Sequence, residues 1–312
     1  MSLPTAQTMR NSAGTVESAS ALLRDLMDYA GLFPPASLSM AASATNYDAY
    51  LQSRWNWILG RFIVPVARLG EFEEALKALP ISSEKIGSWR LSVLLGADAA
   101  VDVAQIHDFN ARMADADSGR RPEIESVEVK VASPEEITRL SEVIPAELET
   151  YFEIPLPSAG ECISTVANVG RRAKIRTGGE TPDKIPAPAD VMEFIRLCAS
   201  ANVPFKATAG LHHPLRSVHR LTYQLESATG VMHGFLNVFL AAAFLSIGME
   251  PALAISLLES SGPFEFSSGC IHWRKNRLGI GEIAAARKDF AISFGSCSFT
   301  EPIDDLQSLH LL

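Results

Sequence analysis

The chain has 312 residues, 47% hydrophobic and 20% charged, an ordinary globular balance able to bury a large core. Lys and Arg are outnumbered 27 to 36 by Asp and Glu, for a formal charge of -9. That excludes a broad nucleic-acid footprint, which needs a basic face, and leaves room only for a local basic pocket. The longest apolar run, 234–247, falls short of the ~20 residues that span a bilayer.

The N-terminal Met-Ser-Leu-Pro-Thr-Ala-Gln lacks a charged region followed by an apolar stretch, so no secretory signal is expected. Cys162, Cys198, Cys270 and Cys297 are far apart and form no C-x-x-C pair. Reduced thiols in a cytoplasmic protein follow, without a disulfide frame or a zinc ribbon.

In chain order, an N-terminal helix is expected over about 16–29. Strand-like runs rich in β-branched residues then fall near 31–33, 61–66, 90–95, 126–131, 150–154, 173–177, 204–208 and 291–294. Helical periodicity occupies 40–53, 68–78, 99–113, 134–143, 160–169 and 188–201, with Ser133-Pro134-Glu135-Glu136 forming a capped start. Eight apolar strands alternating with helices predict a single (β/α)8 barrel domain over 1–312. No G-x-G-x-x-G follows the first strand, so an open nucleotide-binding sheet is disfavoured and no cofactor is expected.

About 80 residues separate the seventh and eighth strands, where a barrel needs a loop and one helix. This insertion, about 211–290, holds an apolar helix at 232–247, a second helix near 250–259, and a hairpin in which Phe264-Glu265-Phe266 and Ile271-His272-Trp273 flank Ser267-Ser268-Gly269. A cover over the site or a homo-oligomer contact through 232–247 would each use its apolar surface.

The sixth strand reads Lys174-Ile175-Arg176-Thr177-Gly178-Gly179, and a period of two puts Lys174 and Arg176 on one face. The seventh reads Phe205-Lys206-Ala207-Thr208-Ala209-Gly210-Leu211-His212-His213. Three cations on adjacent buried strands need compensating carboxylates, and Glu128 on the fourth strand and Glu153 on the fifth are the candidates. Interior ion pairs that merely fill the barrel are the plain alternative, but charges at strand C-termini lie on the working face of barrel enzymes. Paired lysines have a specific use: an amine must be neutral to attack a carbonyl, and a neighbouring cation such as Lys206 or Arg176 lowers the pKa of Lys174.

These strands resemble those of deoxyribose-phosphate aldolase and its class I relatives. Lys174-Ile175-Arg176-Thr177-Gly178 is similar to the family's K-T-S-T-G, and Phe205-Lys206-Ala207-Thr208-Ala209-Gly210 to its V-K-A-S-G-G. Asp28-Tyr29-Ala30-Gly31-Leu32-Phe33-Pro34-Pro35-Ala36-Ser37 resembles D-H-T-x-L-K-P-x-A-T, and Phe294-Gly295-Ser296-Cys297-Ser298 resembles F-G-A-S-S. The resemblance implies a lyase in which Lys174 forms a Schiff base, Lys206 depresses its pKa, and Glu128, in place of the aspartate of E-I-D-x-V, shuttles protons.

Asp28, Arg176, Thr208, Gly210, His212, Gly295 and Ser296 are the expected binders of a small anionic substrate, the last pair through backbone amides. Lys130 and Arg176 add cations that the pattern lacks, and Leu211-His212-His213 replaces its isoleucine-arginine, which weakens the grip on phosphate. Two rival readings stand beside the lyase. One is a metal-dependent barrel enzyme using His212, His213, His233 and Glu153 as ligands, although no H-x-H or H-E-x-x-H is present. The other is a ligand-binding or assembly protein that has kept the barrel without its chemistry.

Overall fold

The computed structural model describes residues 15–80, 88–114 and 120–312; the N-terminal heptapeptide read for a signal lies outside them. Seven strands come first: β1 (Met27–Tyr29), β2 (Leu59–Pro65), β3 (Trp89–Leu94), β4 (Pro122–Lys130), β5 (Glu149–Glu153), β6 (Arg172–Arg176) and β7 (Phe205–Thr208). After the insertion strands β8 (Ser217–Arg220), β9 (Thr229–Met232), β10 (Glu265–Phe266), β11 (Cys270–Trp273) and β12 (Asn276–Gly279) comes β13 (Ala291–Ser296). The first seven and β13 close into a barrel in the order β1-β13-β7-β6-β5-β4-β3-β2, and every pairing is parallel.

Helix α1 (Glu17–Leu23) precedes β1. Helices α2 (Met40–Leu51), α3 (Leu69–Ala78), α4 (Ala99–Ala114), α5 (Pro134–Val143), α6 (Ala159–Asn168) and α7 (Pro188–Ala201) each return the chain to the next strand. The insertion supplies α8 (Phe235–Ser246), α9 (Pro251–Leu258) and α10 (Ile280–Asp289), and α11 (Thr300–Ser308) follows β13. The expected (β/α)8 barrel is therefore the fold. Its strands are buried on both faces, as six consecutive buried residues in β2 illustrate. At the start of α5, the Ser133 hydroxyl accepts from the Glu136 amide and Pro134 occupies the first turn.

The beginning of the chain differs from expectation. The first helix ends at Leu23, the first strand is Met27–Tyr29, and 31–33 lies in turns and bends. A three-residue strand is too short to register as a period, and apolar Leu22, Leu23, Leu26 and Met27 extend the helical spacing across the break. This moves Asp28 from a helix end into the barrel wall.

In the insertion, β10 and β11 form the expected hairpin, joined by a third strand, β12. The antiparallel pair β8–β9 is additional: polar Ser217, His219 and Arg220 gave it no strand signature. Residues Phe235 to Phe244 of α8 are all buried, against α7, α9, α10 and β13, with Phe235 stacked 5.0 Å from Phe294. The apolarity that suggested a subunit contact at 232–247 is used inside the chain. Among the described residues no helix is long and apolar enough to cross a membrane.

Candidate functional site

Strand alternation delivers a charged side chain from each of five barrel strands into one interior. Lys174 and Lys206 are register partners on β6 and β7, and Ile175 between Lys174 and Arg176 points into the apolar layer, wholly buried. On β1 the same alternation sends Asp28 inward while Tyr29 packs against Tyr47, Tyr50 and Phe62. Lys206 Nζ donates to Asp28 Oδ2 at 2.6 Å and to Glu128 Oε1 at 2.5 Å. The other oxygen of Glu128 lies 2.7 Å from Lys174 Nζ, which also approaches Glu153 Oε2 at 2.8 Å. Glu153 Oε1 in turn accepts from Arg176 Nε at 3.1 Å. The result is a ladder of alternating charge, Arg176–Glu153–Lys174–Glu128–Lys206–Asp28.

The two amines differ. Lys206 has no exposed side-chain surface and two aligned hydrogen bonds. Lys174 keeps 5% exposure and sits at ion-pair distance from two carboxylates without hydrogen-bond alignment, so Glu128 Oε2 accepts no aligned donor. Burial alone would drive the Lys206 ammonium toward neutrality, but Asp28 and Glu128 outweigh it and hold its pKa above the ordinary lysine value. Burial likewise opposes ionisation of Glu128, and Lys174 and Lys206 outweigh it, holding that carboxyl well below its usual range. Glu153 is lowered too, by Lys174 and Arg176 against its own burial. Lys206 is thus a locked cation, and Lys174 is the more exposed and less tightly bonded of the two amines.

Three partners of the ladder escaped sequence reasoning. Ser92 Oγ donates to Glu128 Oε1 at 2.7 Å, Ser293 Oγ donates to Asp28 Oδ2 at 2.8 Å, and the Tyr151 ring centroid lies 5.2 Å from Lys206 Nζ. Inward-facing Ser and Tyr among apolar strand residues were the available signal. Asp28 Oδ1 also accepts the Arg61 backbone N–H at 2.8 Å.

Beyond Asp28, a cavity of about 620 Å³ opens on the N-terminal face of the barrel, lined in part by Arg61, Arg90, Glu149 and Ser293. Arg61 pairs there with Glu125 and Glu149, Arg90 with Asp25 and Glu125, and Arg172 with Glu149. Such a chain of ion pairs on that face serves stability, whereas Arg176, 44% exposed at the C-terminal end of β6, marks the working face.

The remaining expected binders lie along the C-terminal ends of β7 and β13. Gly295 is inside β13, in register with Asp28 on one side and Thr208 on the other, so its backbone belongs to the sheet. Ser296 is buried, and its hydroxyl donates to Ser298 O at 2.6 Å. Gly210 has φ +75°, and a Cβ there would come within 2.8 Å of Gly178 Cα, which lets the loops after β6 and β7 touch. Gly210→Ala should therefore lower stability by about 1–3 kcal/mol, through left-handed backbone strain and backbone crowding. Chemical denaturation measures this; an unchanged midpoint would mean that the two loops separate freely.

His212 does not join the ladder. It belongs to a second C-terminal-face cavity of about 270 Å³, lined also by Pro35, His213, Tyr223 and Glu301. The donors considered for a metal are dispersed. Glu153 is committed to the ladder, His233 Nε2 faces Pro186 O at 2.9 Å, and His213 Nδ1 faces Asp305 Oδ2 at 2.7 Å. Among the described residues no group of three His, Cys, Asp or Glu side chains is placed to hold a metal ion. In comparison with known proteins, the chain matches no family model and no curated sequence.

Proposed function

We propose that this barrel is a class I lyase, forming or cleaving a carbon–carbon bond of a small anionic carbonyl compound through an imine on Lys174. One observation carries the reading. Asp28, Glu128, Lys174 and Lys206 come from four separate stretches that resemble deoxyribose-phosphate aldolase, and they meet in one network of contacts between 2.5 and 2.7 Å.

The chemistry follows from the contacts. Lys174 must lose a proton before its amine attacks the carbonyl carbon, and Glu153 Oε2, 2.8 Å from Nζ, is the acceptor in reach, since the Glu128 carboxyl is held too far below its usual range to serve as a base. Condensation then returns that proton to the departing hydroxyl, releases one water and leaves a cationic imine. Lys206, bonded to Glu128 Oε1 at 2.5 Å, fixes that carboxylate beside Lys174. Arg176, at the mouth, is the partner for the substrate's anionic group. The four free, buried cysteines accord with a reducing cytoplasm.

Borohydride reduction of the protein mixed with a panel of small aldehydes and ketoacids should add mass to the peptide containing Lys174. No adduct with any of them discards the imine. A second reading is favoured by the near-complete enclosure of both amines, with 5% and 0% side-chain exposure: a ligand-binding barrel without turnover. It predicts anion binding together with an untrappable Lys174.

A further inference from the structure

The cavity beside His212 plays no part in the imine chemistry, yet three of its polar side chains, His212, His213 and Glu301, converge there. Glu301 Oε2 lies 3.8 Å from His212 Nδ1, and Glu301 Oε1 lies 3.9 Å from His213 Nε2. Both separations exceed a hydrogen bond. An oxygen about 2.8 Å from both atoms of either pair would stand to one side of the gap and close an angle a little under a right angle. The two gaps fall on the two oxygens of one carboxylate, and the oxygens of a gauche vicinal diol are separated by little more than those of a carboxylate.

We propose that this cavity binds the vicinal diol of a small uncharged polyol or sugar, with Glu301 contacting both hydroxyls and His212 and His213 completing one each.

Three further observations support the assignment. First, His212 is buried, and its one hydrogen-bond contact among the described residues is a weak 3.8 Å approach to Cys297 Sγ. Burial, with His213 and His219 nearby, lowers its pKa to about 4, so the ring is a neutral donor and acceptor. Second, the walls are held. Asp305 Oδ2 lies 2.7 Å from His213 Nδ1, the His213 ring stacks on His219 with centroids 3.4 Å apart, and the Tyr223 hydroxyl donates to Glu301 Oε2 at 3.3 Å. Third, the charge suits a neutral guest. The lining sets one carboxylate, Glu301, against one guanidinium, Arg220, so it carries no net charge that calls for an ionic guest, and burial raises the Glu301 pKa, which lets its carboxyl donate to a hydroxyl oxygen as well as accept from one. A volume of about 270 Å³ suits a ligand below drug size.

Histidine-selective ¹H–¹⁵N spectra provide the test. Titration with D-ribose or glycerol should shift the His212 and His213 signals saturably, and 1,3-propanediol, which lacks the vicinal pair, should not shift them. Glu301→Gln should weaken ribose binding about tenfold or more, the loss expected when hydrogen bonds to a charged group are removed. Tyr223→Phe, a milder change at a half-exposed side chain, should weaken it less. Equal response to 1,3-propanediol, tighter response to inorganic phosphate, shifts produced by Zn²⁺ alone, or no response to ribose and glycerol up to tens of millimolar would each overturn the proposal. The readout requires no turnover, so it stands or falls separately from the imine on Lys174.

Discussion

Lys206→Met should cost about 3–5 kcal/mol of folding stability, the usual loss when one member of a buried charge network is removed and the others remain. Two carboxylates depend on this ammonium. Among the described residues Asp28 would keep the Ser293 hydroxyl and the Arg61 amide, and Glu128 would keep Lys174 and Ser92. The pH dependence makes the test sharper. In the native protein Glu128 has a depressed pKa, so its contribution is complete above the unfolded value of about 4.3 and is lost as pH falls below it. Lys206 has a raised pKa, so its contribution is complete below about 10.4 and is lost as pH rises through the folded value. Native stability should then be flat between about pH 5 and 10 as far as these groups decide it.

In Lys206→Met the sign reverses on the acid side. Without the Lys206 cation the burial of Glu128 is opposed by Lys174 alone, so its pKa rises above that in the parent, protonation relieves the variant, and the deficit shrinks as pH falls from about 7 to 5. Urea unfolding of both proteins across this range measures the difference. A variant within 1 kcal/mol of the parent, or one whose deficit grows on acidification, would contradict the ladder as the organiser of the barrel interior.

The barrel was legible in the sequence because its strands are short, apolar and evenly interleaved with helical periods, a pattern that burial on both faces imposes. Lys174 and Lys206 were legible for the same reason, since a lysine inside an apolar strand conflicts with its surroundings. Glu128 and Glu153 were found as the charges needed to resolve that conflict. Asp28 was harder to place: β1 has three residues, and no period of two can be read from so few. Ser92 and Ser293 carry no charge and leave no conflict to notice, although each bonds a ladder carboxylate.

The rim cavity was hidden for a different reason. It joins His212 and His213, Tyr223 from the segment between β8 and β9, and Glu301 from α11, so it exists only through long-range packing. His212 could be picked out as a candidate binder but not assigned its neighbours. The distinction between the two lysines was equally out of reach, because it rests on hydrogen-bond alignment and not on residue type.

That distinction yields the largest expected effect on activity. Lys174→Arg keeps a cation opposite Glu128 and Glu153, so the ladder and fold should survive, but a guanidinium remains protonated and cannot condense with a carbonyl. Borohydride-trapped mass should vanish, and turnover of the trapped compound should fall by about a thousandfold or more, as when an enzyme loses its nucleophile. Lys174→Met should abolish trapping equally while costing less stability than Lys206→Met. Glu153 would retain Arg176, and Glu128 would retain two aligned bonds to Lys206 and Ser92. Trapping that persists in Lys174→Arg would assign the imine to another amine. Lys206→Met proving the milder of the two methionine variants would undo the division of labour, because the locked cation would then be the dispensable one.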